Sequence, residues 1–257
     1  MNMLRIIINA DDLGKSDDVN NAIAECFAER FITSTTLMVN MDYADEAVEM
    51  AQKYGWNERV GLHLNLTSGV PLTKGIRRFR RFCAKDGSFN ASFAKNLYSR
   101  MHLSKDEIKA VREEAEAQII KYISYGLPDK HLDSHHYVHT DASIWKAIEP
   151  LIIPYGIRSV RLTRNLFRNM SFAKEFYKVR YNKKLKALPV NTTDYFGSFK
   201  DFIQCREDIE DGALVEIMVH PMHDEMGRLV DRLENRDKPV EEEKDYLSRI
   251  KHIKDFY

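Results

Sequence analysis

Short apolar runs alternate with longer amphipathic stretches along most of the chain, and the alternation sets the expected elements. Residues 4–9 read as a buried strand that ends directly in Asp11 and Asp12. Aspartate disfavours strands and favours turns, so the strand is expected to stop there. Residues 17–30 carry Val19, Ala22, Ile23, Cys26 and Phe27 at helical spacing, with Ser16 or Asp17 as N-cap. The β-branched stretch 33–39 predicts a second strand. A helix over 43–53 follows, with Ala44, Ala47, Val48 and Ala51 on one face and Gly55 just past its end. Residues 60–66 alternate as a strand does. Ser104 and Glu107 form a capping box for a helix over 104–125, stopped by Gly126 and Pro128. A short strand at 130–133, a helix over 142–155 capped by Asp141, and a strand at 157–162 come next. A short helix at 199–207 and a buried strand at 213–219 follow. The tail, 239–257, reads as a charged helix with Tyr246, Leu247, Ile250 and Ile253 on its inner stripe.

Repeated strand–helix alternation predicts an α/β fold built on a parallel sheet, open or closed into a barrel. Residues 68–101 and 163–193 show no clean period and are too long for ordinary connections, so they read as insertions over one face of the sheet. No repeat or Pro/Gly/Ser-rich linker divides the chain, and 1–257 is expected to be a single domain. Lys plus Arg equals Asp plus Glu at 39 each, which leaves no overall field for nucleic acid or an anionic membrane. The basic stretches 76–81 and 178–186 read first as solvated faces. Cys26, Cys83 and Cys205 are few and far apart, unlike a disulfide framework. No apolar stretch approaches a membrane span. A reduced, soluble, cytoplasmic protein is the resulting expectation.

In a parallel α/β fold the strand C-termini gather at one end, where ligands bind. Four expected strands carry reactive groups near that end. They are Asp11 and Asp12 on the first, His63 on the third, Asp133, His135, His136 and His139 after the long helix, and His220 on the last. Each has a plainer explanation alone: a turn for the two acids, a hydrogen-bonded core histidine for His63, a charged helix start for His135 and His139. Their convergence at one rim is what points to chemistry. One carboxylate and two imidazoles suit a borderline divalent cation with a position open for water. A second carboxylate can then accept a proton, and a further histidine can donate one.

The motifs NADDLG, TSTTLMVN, VGLHLNLTSGVPL, HLDSHHYVH and EIMVHP, in this order, resemble the YdjC-like carbohydrate deacetylases, which include the chitooligosaccharide deacetylase. The resemblance implies a distorted or incomplete (β/α) barrel with the two insertions over its C-terminal rim. It implies metal-dependent removal of an acetyl group from an N-acetylated sugar, with one divalent cation, zinc or magnesium. Carried over by motif, Asp12, His63 and His135 are the implied metal ligands, Asp11 the general base and His220 the acid for the leaving group. Arg161 resembles an arginine that holds the base, and His139 is a fourth ligand or an outer donor. Tyr137 stands where relatives often have histidine. The rival readings are another metallohydrolase, such as a phosphoesterase, and a non-catalytic sugar-binding relative. The expected partner is a small carbohydrate, with no nucleic acid or membrane, and a homodimer is the default assembly. Aromatic residues of the insertions (Phe79, Phe82, Phe89, Phe167, Phe172, Tyr177, Tyr181) are candidates for stacking on sugar rings.

Overall fold

The computed structural model describes residues 3–96, 100–168, 170–233, 236–250 and 253–255. Seven parallel strands form the main sheet: β1 (Leu4–Leu13), β2 (Ser34–Leu37), β3 (Val60–Leu64), β4 (His131–Ser134), β5 (Ser159–Val160), β6 (Tyr195–Ser198) and β7 (Leu214–Val219). Their order across the sheet is β5-β4-β3-β2-β1-β7-β6. The sheet curls into a half-barrel. Its two edges approach through single contacts rather than a ladder: the Val160 N–H donates to the Asn191 carbonyl at 3.1 Å, and Asn165 and Leu166 both donate to the Phe196 carbonyl, at 3.0 and 3.2 Å. The incomplete barrel expected from the sequence is what the chain forms.

The principal helices are α1 (Asp17–Ala28), α2 (Ala44–Tyr54), α3 (Lys74–Arg77), α4 (Ala91–Lys95), α5 (Lys105–Ser124), α6 (Ala142–Ile152), α7 (Phe172–Lys186), α8 (Phe199–Cys205) and α9 (Val240–Ser248). Local chemistry sets several ends. Ser16 accepts from the Val19 N–H at the start of α1. Gly55 closes α2 in a left-handed conformation. Ser104 and Glu107 complete the capping box of α5. Among the described residues, no helix is long and apolar enough to cross a membrane. The three cysteines are free and buried.

Because side chains alternate along a strand, the sheet sorts its residues into two sets. Ile6, Ile8, Ala10, Leu62, Leu132, Val215, Ile217 and Val219 belong to the hydrophobic core. The alternate positions, Asn9, Asp11, Thr36, His63, Asp133 and Glu216, are polar and equally buried. The second set lines the inside of the half-barrel and forms the site described below.

Several boundaries differ from expectation. β1 does not stop before the acids: it runs on to Leu13, with an irregularity in its pairing to β2 between Ala10 and Leu13. Asp12 has φ 73°, and this bulge lets the strand continue through two carboxylates. Asp141 stands at the start of α6 without a side-chain capping bond, because its carboxylate faces Arg100 Nε at 3.3 Å. The tail is not one helix. After α9 the chain forms β11 (Ile253–Asp255), parallel to the start of β1, whereas residues 251–252 and 256–257 of the expected helix lie outside the described residues. Residue 253 has a β partner, Leu4, where a helical stripe was expected, because the free flank of β1 below its pairing with β2 accepts a strand. The irregular stretch 163–193 contains α7, and 68–101 contains α3 and α4; residues 97–99 and 169 of these stretches lie outside the described residues. A small antiparallel sheet, β8 (Pro221–His223), β9 (Leu229–Leu233) and β10 (Arg236–Pro239), follows β7 directly.

Candidate active site

Strands β1 to β5 and β7 deliver the site. Asn9 and Asp11 lie two apart on β1 and share a face. The bulge at Asp12 brings the next carboxylate to the same rim, where a regular strand would turn it to the opposite side. His63 of β3 and Asp133 of β4 are paired in register, so their side chains meet directly. The His63 Nδ1 lies 2.6 Å from Asp133 Oδ1 and 3.0 Å from Thr36 Oγ1. His135 follows β4 immediately, and the next two residues, His136 and Tyr137, both take positive φ, 54° and 55°. Such conformations are costly for residues with large side chains, and they hook the chain back over the strand end. The His135 Nδ1 lies 2.6 Å from Thr67 Oγ1.

With both Nδ1 atoms engaged, the two Nε2 atoms face Asp12 Oδ1, at 3.3 Å from His63 and 3.7 Å from His135. That oxygen is buried and has no hydrogen-bond partner. Its twin, Oδ2, is held by the Lys15 ammonium at 2.7 Å. Three ligand atoms therefore converge on one point, the His63 Nε2 giving up its proton when a cation binds. Around a tetrahedral ion with bonds near 2.1 Å, neighbouring donors are roughly 3–3.5 Å apart, so the residues fit a divalent cation. In the chain itself, burial raises the Asp12 carboxyl, but His135, His63 and Lys15 outweigh it and hold it well below the usual carboxylate range. Burial would depress His63, yet Asp133, the hydrogen bond to it and the nearby Asp12 and Asp11 carboxylates push it up to about 10. Burial pushes His135 down to about 3 against the pull of Asp12.

Beside this point Arg161, just past β5, is fully buried. It donates to both oxygens of Asp11 at 2.7 and 2.8 Å and to Glu216 Oε1 at 2.6 Å. It also contacts Asp133 Oδ2 at 2.6 Å and lies over the Phe196 ring, 4.7 Å from its centre. Burial opposes its charge, but Asp11, Asp133 and Glu216 raise its pKa further above the usual arginine range. Two groups, Asp11–His63–Asp133 and His131–Asp133–Glu216, each bring three ligand atoms within 4.8 Å of one another. Both share their carboxylates with Arg161, so a cation already sits among them. The converging donors with an unpartnered oxygen are on the Asp12 side of His63.

His220, at the end of β7, stands at the mouth with its side chain 26% exposed. Its Nε2 is 4.0 Å from Asp11 Oδ2, and its Nδ1 is 4.0 Å from Asp231 Oδ1. His139 is turned away from the donors: its Nδ1 lies 2.6 Å from Ser134 Oγ and its Nε2 lies 3.1 Å from the Arg161 carbonyl. Both nitrogens are spent on the protein, which places His139 under Arg161 rather than at the ion. Burial pushes its pKa down to about 4.

Tyr137 packs edge-on against Phe196 and lines a cleft of about 650 Å³ with Arg100, His136, Asp141, Arg164 and Tyr177. Of the aromatic residues noted in the sequence, Phe82, Phe89 and Tyr181 are core, Phe172 is exposed and Tyr177 faces this cleft. Sequence reasoning assigned no role to Thr36, Thr67, Glu216 or Asp231. Glu216 had a signal, a lone acid inside the apolar run LVEIMV. The others had none.

A family model described as YdjC-like protein matches residues 5–251. The chain belongs to the YdjC-like family. A relative from Vibrio parahaemolyticus, named carbohydrate deacetylase, is 30% identical over 86% of this chain and 79% of its own length. A second from Brevibacillus brevis, with the same name, is 31% identical over 86% of this chain and 82% of its own. The crystal structure of an Enterococcus faecalis V583 protein, described as a candidate cellobiose-phosphate cleavage protein, superposes with a TM-score of 0.62. It is 24% identical and covers 88% of this chain and 84% of that one. At that identity the likeness speaks for a shared fold alone.

Proposed function

We propose that this YdjC-like protein is a metal-dependent carbohydrate deacetylase that hydrolyses the acetamide of an N-acetylated sugar, such as a chitooligosaccharide, to acetate and an amino sugar. The observation that carries the reading is the unpartnered Asp12 Oδ1 facing two imidazole Nε2 atoms, with a second carboxylate and a third imidazole within reach of the same mouth. Asp12, His63 and His135 hold one divalent cation; two nitrogens and one oxygen favour zinc over magnesium. When bound, the cation supplies Lewis acidity, polarising a carbonyl and favouring ionisation of water.

The chain's own residues do the rest. Arg161 and Asn9 fix the Asp11 carboxylate, so that its remaining lone pairs point from a set position. Asp11 takes a proton from water as the oxygen attacks the acetamide carbon. His220, across the gap from Asp11, gives a proton to the nitrogen as the C–N bond breaks. Thr36 and Asp133 orient His63, and Thr67 orients His135, as outer partners of metal ligands do.

The test is acetate release from N-acetylglucosamine oligomers by the metal-loaded protein, with elemental analysis of bound metal. Asp11→Asn is expected to lose about a hundred-fold to ten-thousand-fold in rate while retaining about one ion per chain. Wild-type rates in Asp11→Asn would remove Asp11 as base. Clearly more than one bound ion with phosphate-ester hydrolysis would favour a phosphoesterase, and bound sugar without acetate release would favour a non-catalytic relative.

A further inference from the structure

The small sheet β8–β10 and helix α9 follow the last barrel strand and bring two acids behind His220. Asp231 of β9 is paired in register with Pro221, the residue next to His220. Its Oδ1 accepts the His220 backbone N–H at 2.6 Å and lies 4.0 Å from the His220 Nδ1. That Nδ1 is buried with no hydrogen-bond partner. Glu243 of α9 lines the same pocket wall as Asp231, and its Oε2 is also buried without a partner. Asp231 is 5% exposed and Glu243 4%.

Two buried acids packed together do not both ionise unless a cation joins them. The neighbouring cations do not serve. Lys238, the register partner of Asp231, turns its ammonium to Glu242 Oε2 at 2.7 Å. Lys200 and Arg236 line the pocket without a hydrogen bond to either acid. The remaining titratable neighbours are Cys26 of α1, Asp11 of β1 and Glu242 of α9. Burial pushes Asp231 up against the pull of His220, and burial with the Asp231 charge pushes Glu243 up to about 9.

We propose that Asp231 orients the His220 imidazole through Nδ1, and that Glu243 backs Asp231 as a neutral carboxylic acid, so that a single negative charge faces His220. Both are positioning residues. The inference rests on the reading of His220 as proton donor, but its test does not need catalysis. Asp231 holds the Nδ1 proton side, which turns Nε2 toward Asp11 and the mouth.

The experiment, in the full-length zinc-loaded protein, is NMR of the His220 imidazole nitrogens, read for which of them carries the proton, together with a titration of the Glu243 side-chain carboxyl carbon, assigned with His220→Gln and Glu243→Gln. Glu243 is expected to stay protonated at pH 7. Asp231→Asn, which keeps an oxygen for the His220 N–H, is expected to shift the neutral His220 ring from the Nδ1–H toward the Nε2–H tautomer. Glu243→Gln, which mimics the neutral acid, is expected to leave the Nδ1–H tautomer in place. A Glu243 carboxyl ionised at pH 7, or a His220 tautomer unmoved in Asp231→Asn, overturns the proposal. Should Asp231→Asn fail to fold, the wild-type Glu243 titration decides alone. If the enzyme reading also holds, Asp231→Asn lowers kcat with little change in KM and moves one limb of the pH profile. If no N-acetylated sugar releases acetate, the deacetylase reading falls while the titrations still judge the carboxyl pair.

Discussion

Asp11 and Asp12 are neighbours in the chain but not in their surroundings. Asp11 is clamped by a guanidinium, whereas Asp12 leaves one oxygen facing two imidazoles. The clamp is the most demanding residue-scale feature. Arg161 is fully buried among Asp11, Asp133 and Glu216, and only a planar fork of several N–H groups reaches all three. Arg161→Met leaves those carboxylates without their cation. Urea denaturation is expected to show a loss of about 3–5 kcal/mol, and Arg161→Lys recovers part of it. At this scale the sequence was informative where rare residue types cluster. The two acids and the histidines near 135 and 220 stand out in any reading. Glu216 is visible as a charge out of place, and Asp231 is silent because an acid in the charged stretch after β7 looks like any other.

At the scale of the element, helices were legible because their signals are local. Ser104, Glu107 and Gly126 bracket α5 within its own stretch of chain. Strand β1 was only half legible. Its acids predict a stop, but pairing with β2, which resumes at Leu13 and Leu37 beyond the bulge, carries it on, and the turn beyond is built by backbone conformation. Gly14 has φ +88°, and a Cβ there would lie 3.1 Å from both Ala44 Cα and Leu37 Cδ1. Gly14→Ala therefore meets strain and crowding together. Thermal unfolding is expected to show a loss of about 1–3 kcal/mol. Because Asp12 lies in the same turn, binding of the metal should weaken as well, which isothermal titration with zinc would measure.

For the molecule as a whole, the polar interior makes stability depend on pH and on the ion. The folded pKa of His139 is pushed down to about 4 from an ordinary value of 6.5, so between these values the unfolded chain binds the extra proton. Its contribution is complete above pH 6.5 and is lost as pH falls toward 4. His135 acts in the same direction. His63, raised to about 10, acts in the opposite direction: its contribution is complete well below pH 6.5 and fades only as pH rises past that value. Urea midpoints are expected to fall from pH 6.5 to 4, less steeply in His139→Gln. Zinc at a hundred times its dissociation constant is expected to stabilise the protein by about 2.7 kcal/mol, read as a rise in Tm that Asp12→Ala abolishes. The chain by itself determined the alternation of strands and helices, the helix caps and the residue types available for chemistry, since propensity and periodicity act over a few residues. Tertiary structure alone decided that His63 faces Asp133, that one arginine serves three strands, and that the stretch after β7 supplies β8–β11. Register and sheet closure are settled by contacts between segments far apart in the chain, which no local pattern encodes.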